Sequence, residues 1–439
     1  MIFLLHEGLF KLVLDGKKKA RFLLKQIMEV IQVNFEERQS KRAKSVKSSM
    51  IRELLKYVSD PTFISFGGGA PDPDTFPRNE MAEIAKEVIE KEYRFTLQYG
   101  LTEGDPILRE EFIKLLNRRY GIEGLDVENV VITVGSQQAL DLIGKVFLDE
   151  DSVYFISAPA YVGALSAFLT YSKNYITIPL EDDGLSMDIL ESKLKELDEK
   201  GELKKLKFVY TVPTFHNPAG VTMSLEKRKR LIELSERYDF IIVEDDPYSA
   251  LRYEGEDLPS IFKLAGKERV ILLNTFSKIF SPGVRIGAVV GRKDIILKVS
   301  QMKQGADLCT PSLTQRLTAR YLQRYDIFEH LKKAIEVYRK KRDLMLKGIE
   351  ENMKDVDVKY VKPMGGLFIW VKFPDEFDTL EMLEIAKKNK ILYIPGSAFH
   401  PDGGGRNTLR LSFCLPPEEK IVEGMRRLGR TIREYFKGV

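Results

Sequence analysis

The feature that most constrains this chain is a rhythm that begins near Phe63. Short β-branched, apolar runs alternate with long amphipathic stretches. The runs occupy residues 130–134, 153–156, 208–212, 240–243, 270–273 and 285–290. Several are apolar along their whole length, as a strand covered on both faces must be. Helical candidates such as 187–197 and 225–238 lie between them. This alternation predicts an α/β fold: an open, mainly parallel sheet with helices on both faces. After about residue 310 the pattern changes. A long charged helix is expected over 315–354, then strand-like runs at 366–373 and 408–413 with a helix between them and another at the end. That predicts a second, smaller α+β domain.

Composition narrows the function. With 44% apolar and 31% charged residues in 439, the chain is neither disordered nor membrane-embedded. A net charge of +4 gives no reason to expect nucleic acid as a partner. Two cysteines, Cys309 and Cys414, cannot build a disulfide framework, which points to a reducing compartment. The four histidines show no metal-ligand spacing, so no metal is expected. Residues 1–14 begin apolar, but His6, Glu7 and Lys11 interrupt them, and the cluster Lys17-Lys18-Lys19 follows the apolar run instead of preceding it. Neither a signal peptide nor a membrane partner is expected, and the location should be cytoplasmic. Residues 15–49 read as a basic, solvated arm. The chemistry must therefore run on lysine, carboxylates, tyrosines or a cofactor.

Open α/β sheets bind ligands beyond the carboxyl ends of their strands, so the residues after each run carry the information. Gly135-Ser136-Gln137-Gln138 opens an apolar helix after 130–134. Amides and a hydroxyl at a helix start suit a phosphate, although a serine N-cap alone explains the same pattern. Tyr161 offers an aromatic face after 153–156. Asn217-Pro218-Ala219-Gly220 marks a turn after 208–212, where Asn217 plainly caps and His216 is expected on the rim. Glu244-Asp245-Asp246-Pro247-Tyr248 closes 240–243, and carboxylates ending a buried strand are costly unless something cationic faces them. After 270–273, Lys278 stands between the hydroxyls of Thr275 and Ser277 and the Pro282-Gly283-Val284-Arg285 segment. A nucleophilic lysine needs surroundings that perturb its pKa, and hydroxyls with a guanidinium suit a phosphate. Five strand ends thus describe one ligand, an aromatic aldehyde with a phosphate and a basic ring nitrogen. Pyridoxal phosphate is such a molecule.

Several segments then occur in order: Ser49-Met50-Ile51-Arg52-Glu53-Leu54-Leu55-Lys56, Ser65-Phe66-Gly67-Gly68-Gly69-Ala70-Pro71, Leu97-Gln98-Tyr99-Gly100, those quoted above, and Thr408-Leu409-Arg410-Leu411-Ser412. In them the chain resembles the fold-type-I aminotransferases of classes I and II. It is most similar to the branch with 2-aminoadipate, kynurenine and archaeal aromatic aminotransferases. The resemblance implies that Lys278 binds pyridoxal 5'-phosphate and moves the substrate proton, while Asp245 keeps the ring nitrogen protonated. Asn217 and Tyr248 match the pair at the ring oxygen, and Tyr161 matches the stacked aromatic. Ser136, Gln137, Thr275, Ser277 and Arg285 match the phosphate cup, with Thr275 standing where many relatives have serine. Arg410 matches the clamp for the substrate α-carboxylate, and Gly69 a backbone contact to substrate. Tyr99 matches a tyrosine that reaches the phosphate of a neighbouring subunit, which implies a homodimer with shared active sites.

Arg52, on a helix expected over 51–57, matches a residue that can pair with an acidic substrate side chain; a solvated arginine is the plain alternative. Cys309 occupies a place where a close relative has histidine, and residues 1–32 have no counterpart. The expected limits are an extension over 1–48, a large cofactor domain over 81–312, and a small domain from 49–80 with 313–439. The expected activity moves an amino group from an aromatic, 2-aminoadipate-like or glutamate donor to a 2-oxo acid such as 2-oxoglutarate. A lyase or decarboxylase on the same fold differs only in which bond at Cα breaks. A transcription regulator with an aminotransferase-like sensor would need a winged helix-turn-helix, and fewer than 50 residues precede the first matching segment.

Overall fold

The computed structural model describes residues 34–45, 54, 56–57 and 59–436, and the chain divides into two units. In the first, residues 1–47, lie two short helices, Phe35–Arg38 and Lys41–Ser45. The second carries the strands. In chain order these are β1 (Ile64–Ser65), β2 (Val130–Val134), β3 (Val153–Ala158), β4 (Asn174–Glu181), β5 (Gly184–Leu185), β6 (Leu206–Thr211), β7 (Ile241–Asp246), β8 (Val270–Thr275) and β9 (Ile286–Val290). They are followed by β10 (Lys359–Tyr360), β11 (Phe368–Lys372), β12 (Ile391–Leu392), β13 (Ile394–Pro395) and β14 (Thr408–Ser412).

Eight strands form one sheet in the order β2-β9-β8-β7-β6-β3-β4-β5. From β8 through β4 the neighbours are parallel. β9 runs antiparallel to both β8 and β2, so β2 points the same way as the parallel set. Every residue of β8 and β9 is buried, which requires cover on both faces. The helix Gly135–Phe147 packs on β2, β8 and β9, and Leu225–Tyr238 on β7. The mainly parallel α/β sheet expected from the sequence is present. A smaller antiparallel sheet, β10-β11-β14-β13, accompanies the long helices Ile327–Asn352 and Glu418–Phe436, which pack on each other.

Some elements differ from expectation. The helix expected over 315–354 is two helices, Ser312–Arg324 and Ile327–Asn352. Asp326 makes the break, its side chain accepting the Phe328 N–H and starting a new helix, while apolar periodicity continues on both sides. β7 runs on through Glu244, Asp245 and Asp246, so these carboxylates belong to the strand itself. β4 had no counterpart among the apolar runs, because only one of its eight residues is buried.

The register of β2 against β9 sets the geometry where the cleft begins. Gly287 lies opposite Thr133, and a Cβ there would come within 2.6 Å of the Gly135 carbonyl carbon and 2.8 Å of the Ser136 nitrogen. Gly135 itself holds a φ of +68°, a conformation glycine adopts without strain. Both glycines let the first turn of the helix lie against β9. Gly287→Ala should cost about 1–3 kcal/mol of stability, as chemical denaturation would measure. It should also weaken anion binding at the adjacent helix start.

Candidate active site

The strand ends enclose a cleft of about 370 Å³, room for a small organic ligand. One end is built for an anion. Ser136 and Gln137 stand in the first turn of the helix Gly135–Phe147. The Thr275 hydroxyl at the end of β8 lies 3.0 Å from Ser277 Oγ and accepts the Ser277 N–H at 3.2 Å. Arg285 donates from Nη2 to the Val134 carbonyl at 3.1 Å, which holds its guanidinium beside the same helix start. Three hydroxyls, a guanidinium and a helix N-terminus suit a phosphate.

The opposite end is a second cationic site. Arg410 on β14 is buried and donates from Nη1 to Asn217 Oδ1 at 2.8 Å and from Nη2 to the Gly67 carbonyl at 2.6 Å. Its guanidinium lies 4.4 Å from the Phe368 ring centre and 4.9 Å from that of Phe399. Burial lowers its pKa to about 10, so it remains a cation at neutral pH. Its Nε is buried without a partner. A fixed guanidinium is suited to bidentate binding of a carboxylate.

Lys278 lies between the two ends. Its Nζ donates to the Gly69 carbonyl at 2.7 Å. Burial pushes its pKa down, the neighbouring Cys414 opposes this, and Arg410 and Arg285 reinforce it. Asn217 Nδ2 donates to the Tyr248 hydroxyl at 3.4 Å. Tyr161 borders the same cleft, its pKa pushed up to about 12 by burial, so its ring stays neutral.

The three carboxylates of β7 are satisfied differently. Glu244 accepts the backbone N–H groups of Ile261 at 3.0 Å and Phe262 at 2.7 Å. Asp246 accepts from the hydroxyls of Tyr120 at 2.6 Å and Ser249 at 2.7 Å. Asp245 borders the cleft, where Tyr210 donates to Oδ2 at 2.7 Å while Oδ1 is buried with no partner. Burial raises the Asp245 pKa to about 7; the Tyr210 hydrogen bond opposes that rise and Asp246 adds to it. An unpartnered acceptor on a buried carboxyl calls for a ligand N–H, above all a cationic one.

The comparisons with known proteins follow this chemistry. The family model described as "Aminotransferase class I and II" matches residues 61–428. The chain belongs to the class I and II aminotransferases. The aromatic-amino-acid aminotransferase 1 of Thermococcus litoralis is 46% identical over 414 residues, covering 94% of this chain and 98% of that protein. A crystal structure of Pyrococcus horikoshii kynurenine aminotransferase, in complex with PMP and with kynurenine as substrate, superposes with a TM-score of 0.87. It is 47% identical and covers 92% of this chain and 98% of that one. The alpha-aminoadipate aminotransferase of Thermus thermophilus, complexed with N-(5'-phosphopyridoxyl)-L-leucine, gives a TM-score of 0.84. It is 38% identical, with coverages of 93% and 100%.

In this aminotransferase the cleft gathers Gly69, Ser136, Gln137, Tyr161, Asn217 and Asp245 with Tyr248, Thr275, Ser277, Lys278, Arg285 and Arg410. Tyr99 is outside that lining and 78% exposed. Arg52 and most of the helix expected over 51–57 lie outside the described residues. His216 is not a rim residue. It is 1% exposed, its Nε2 lies 3.0 Å from Ser157 Oγ, and its Nδ1 accepts the Ala219 N–H at 3.4 Å, bracing the turn that carries Asn217. Burial lowers its pKa to about 3, so it stays neutral. Asn217 does more than cap a turn, since its carbonyl oxygen holds Arg410. Cys309 is half-buried and outside the cleft lining. Two residues not singled out from sequence matter as well. Phe368 backs Arg410, and Tyr210 holds Asp245. A tyrosine inside a buried strand was a signal, because its buried hydroxyl requires a partner.

The raised Asp245 pKa has a consequence for the ligand-free chain. The folded state holds the neutral acid more tightly than the unfolded state does. Stability from this group is therefore present at low pH and is lost as pH rises from about 4 to about 7. Asp245→Asn should come closest to the wild type in thermal midpoint at about pH 4 and exceed it near pH 8, both measured without ligand.

Proposed function

We propose that the cleft around Lys278 is the catalytic centre of a pyridoxal-phosphate-dependent aminotransferase acting on amino acids, with 2-oxoglutarate as amino acceptor. The observation that carries this reading is the unpartnered Oδ1 of Asp245, a residue that lines a cleft whose two ends can take a phosphate and a carboxylate. When bound, pyridoxal phosphate supplies an electron sink for the bonds at the substrate Cα.

The residues divide the remaining work. Ser136, Thr275, Ser277 and Arg285 hold the phosphate, with Gln137 at the same helix start. Tyr161 covers the ring, Asn217 and Tyr248 face its oxygen, and Asp245 accepts the ring N–H. Arg410 orients the substrate through its carboxylate, beside the Gly69 backbone. Burial lowers the pKa of Lys278, which favours its neutral amine. That amine anchors the cofactor and then moves the proton at the substrate Cα.

Residues 81–312 form the proposed cofactor domain, with 49–80 and 313–439 as the small domain and 1–48 as an extension. Tyr99 is proposed to reach the phosphate of a second copy. Exposed Tyr93, Leu97 and Leu101 on the same stretch support a homodimer interface there. A cytoplasmic location is also proposed; among the described residues no helix is long and apolar enough to cross a membrane. Donors are proposed to be aromatic, 2-aminoadipate-like and glutamate, with Arg52 pairing with acidic side chains.

Product analysis tests the reaction. Amino-acid consumption should need a 2-oxo acid, and turnover without one would mark a lyase or decarboxylase. Lys278→Ala should lower kcat by at least about 10²–10⁴-fold. Arg52→Ala should lower kcat/KM for 2-aminoadipate relative to phenylalanine by roughly tenfold. An unchanged ratio would remove Arg52 from side-chain recognition.

A further inference from the structure

Tyr210 is the next-to-last residue of β6, opposite Val243 of β7 in the strand register. Val243 and Asp245 are two residues apart and so share a face of the sheet. Tyr210 and Asp245 are therefore diagonal neighbours, a separation an aromatic side chain can span. The phenol does span it, at 2.7 Å to Oδ2. Its ring is 1% exposed and packs edge-on against Phe168 at 5.5 Å between centres, so water cannot replace the bond. Among the described residues no other donor reaches the Asp245 carboxyl, and no lysine or arginine pairs with it. The remaining titratable groups around it are Asp246 beside it in the strand, Tyr161 and Tyr248.

We propose that Tyr210 is a positioning residue that works through Asp245. Its O–H occupies Oδ2, which leaves Oδ1 toward the cleft as an acceptor for the ring N–H of the bound cofactor. This rests on the cofactor reading above. A carboxyl held at one oxygen by a donor is favoured as the anion. Without that donor the buried group shifts toward the neutral acid, which no longer accepts as an anion from a protonated ring. Arg410 is bound independently, so recognition of the substrate carboxylate should not depend on Tyr210.

Tyr210→Phe removes one oxygen and keeps the ring. Reconstitution of the apoenzyme with pyridoxal phosphate, followed by equilibrium dialysis, should show binding weakened by about fivefold or more. In the reconstituted holoenzyme kcat should fall about tenfold or more, the loss expected for a hydrogen bond to a charged group, with donor KM within about twofold. The acidic limb of the kcat–pH profile should move to higher pH. In an Asp245→Asn background the same substitution should change cofactor binding and kcat by less than about twofold. Wild-type-like cofactor binding and kcat in Y210F would overturn the proposal, as would an equal loss in the Asp245→Asn background. If Y210F does not fold, Y210F/D245N should, since it lacks the carboxylate left unpaired; failure of that double variant to fold would also overturn it. Absence of cofactor binding in the wild type would refute the reading of the cleft instead.

Discussion

The structure depends on a carboxyl group placed where solvent cannot reach it. β7 is buried through its last residues, and three consecutive acids end it. Burying a carboxylate is costly, and the neighbouring elements place a hydrogen bond on both oxygens of two of the three. The start of the helix Ile261–Ala265 answers Glu244, and Tyr120 with Ser249 answers Asp246. Asp245 receives one hydrogen bond and retains one free oxygen. A buried carboxyl left with a free oxygen in the lining of a cleft is organised around a ligand, and the chemistry of the other walls fits a phosphorylated pyridine.

The second constraint joins the small sheet to the large one. The segment leading from β1 is pinned by backbone and side-chain hydrogen bonds. Phe66 N–H donates to the Leu392 carbonyl at 2.8 Å, and Ser412 N–H donates to the Phe66 carbonyl at 2.8 Å. Cys414 Sγ donates to the Ala70 carbonyl at 3.0 Å. Between these anchors the Gly67 carbonyl takes Arg410 and the Gly69 carbonyl takes Lys278. The residue proposed to bind substrate and the residue proposed to bind cofactor thus meet neighbouring carbonyls of one short strap. A side chain in place of Gly69 would press on the Phe368 ring, its Cβ 3.0 Å away, which keeps this stretch small.

Much of this was legible in the sequence because buried parallel strands are written as continuous apolar runs. Runs 130–134 and 270–273 located β2 and β8, and the residues after them located the anion cup. Strand β4, with a single buried residue, left no such trace. The break at Asp326 was hidden because a capping aspartate interrupts a helix without interrupting its apolar periodicity. His216 was misplaced for a related reason: next to Asn-Pro it resembles a loop residue, and only the fold turns it inward to Ser157. Tyr210 was concealed within an apolar run, its importance arising from cross-strand register, which sequence spacing does not contain. Residues whose roles depend on one strand's end were readable. Those whose roles depend on two elements meeting were not.

The central claim is that Lys278 carries the cofactor in this cleft. Reducing the reconstituted enzyme with borohydride, digesting it and mapping the phosphopyridoxyl-modified peptide by mass spectrometry tests it most directly. A single modified lysine is expected, Lys278, in the segment between Ser277 and Arg285. Modification of a different lysine, or of none, would contradict it.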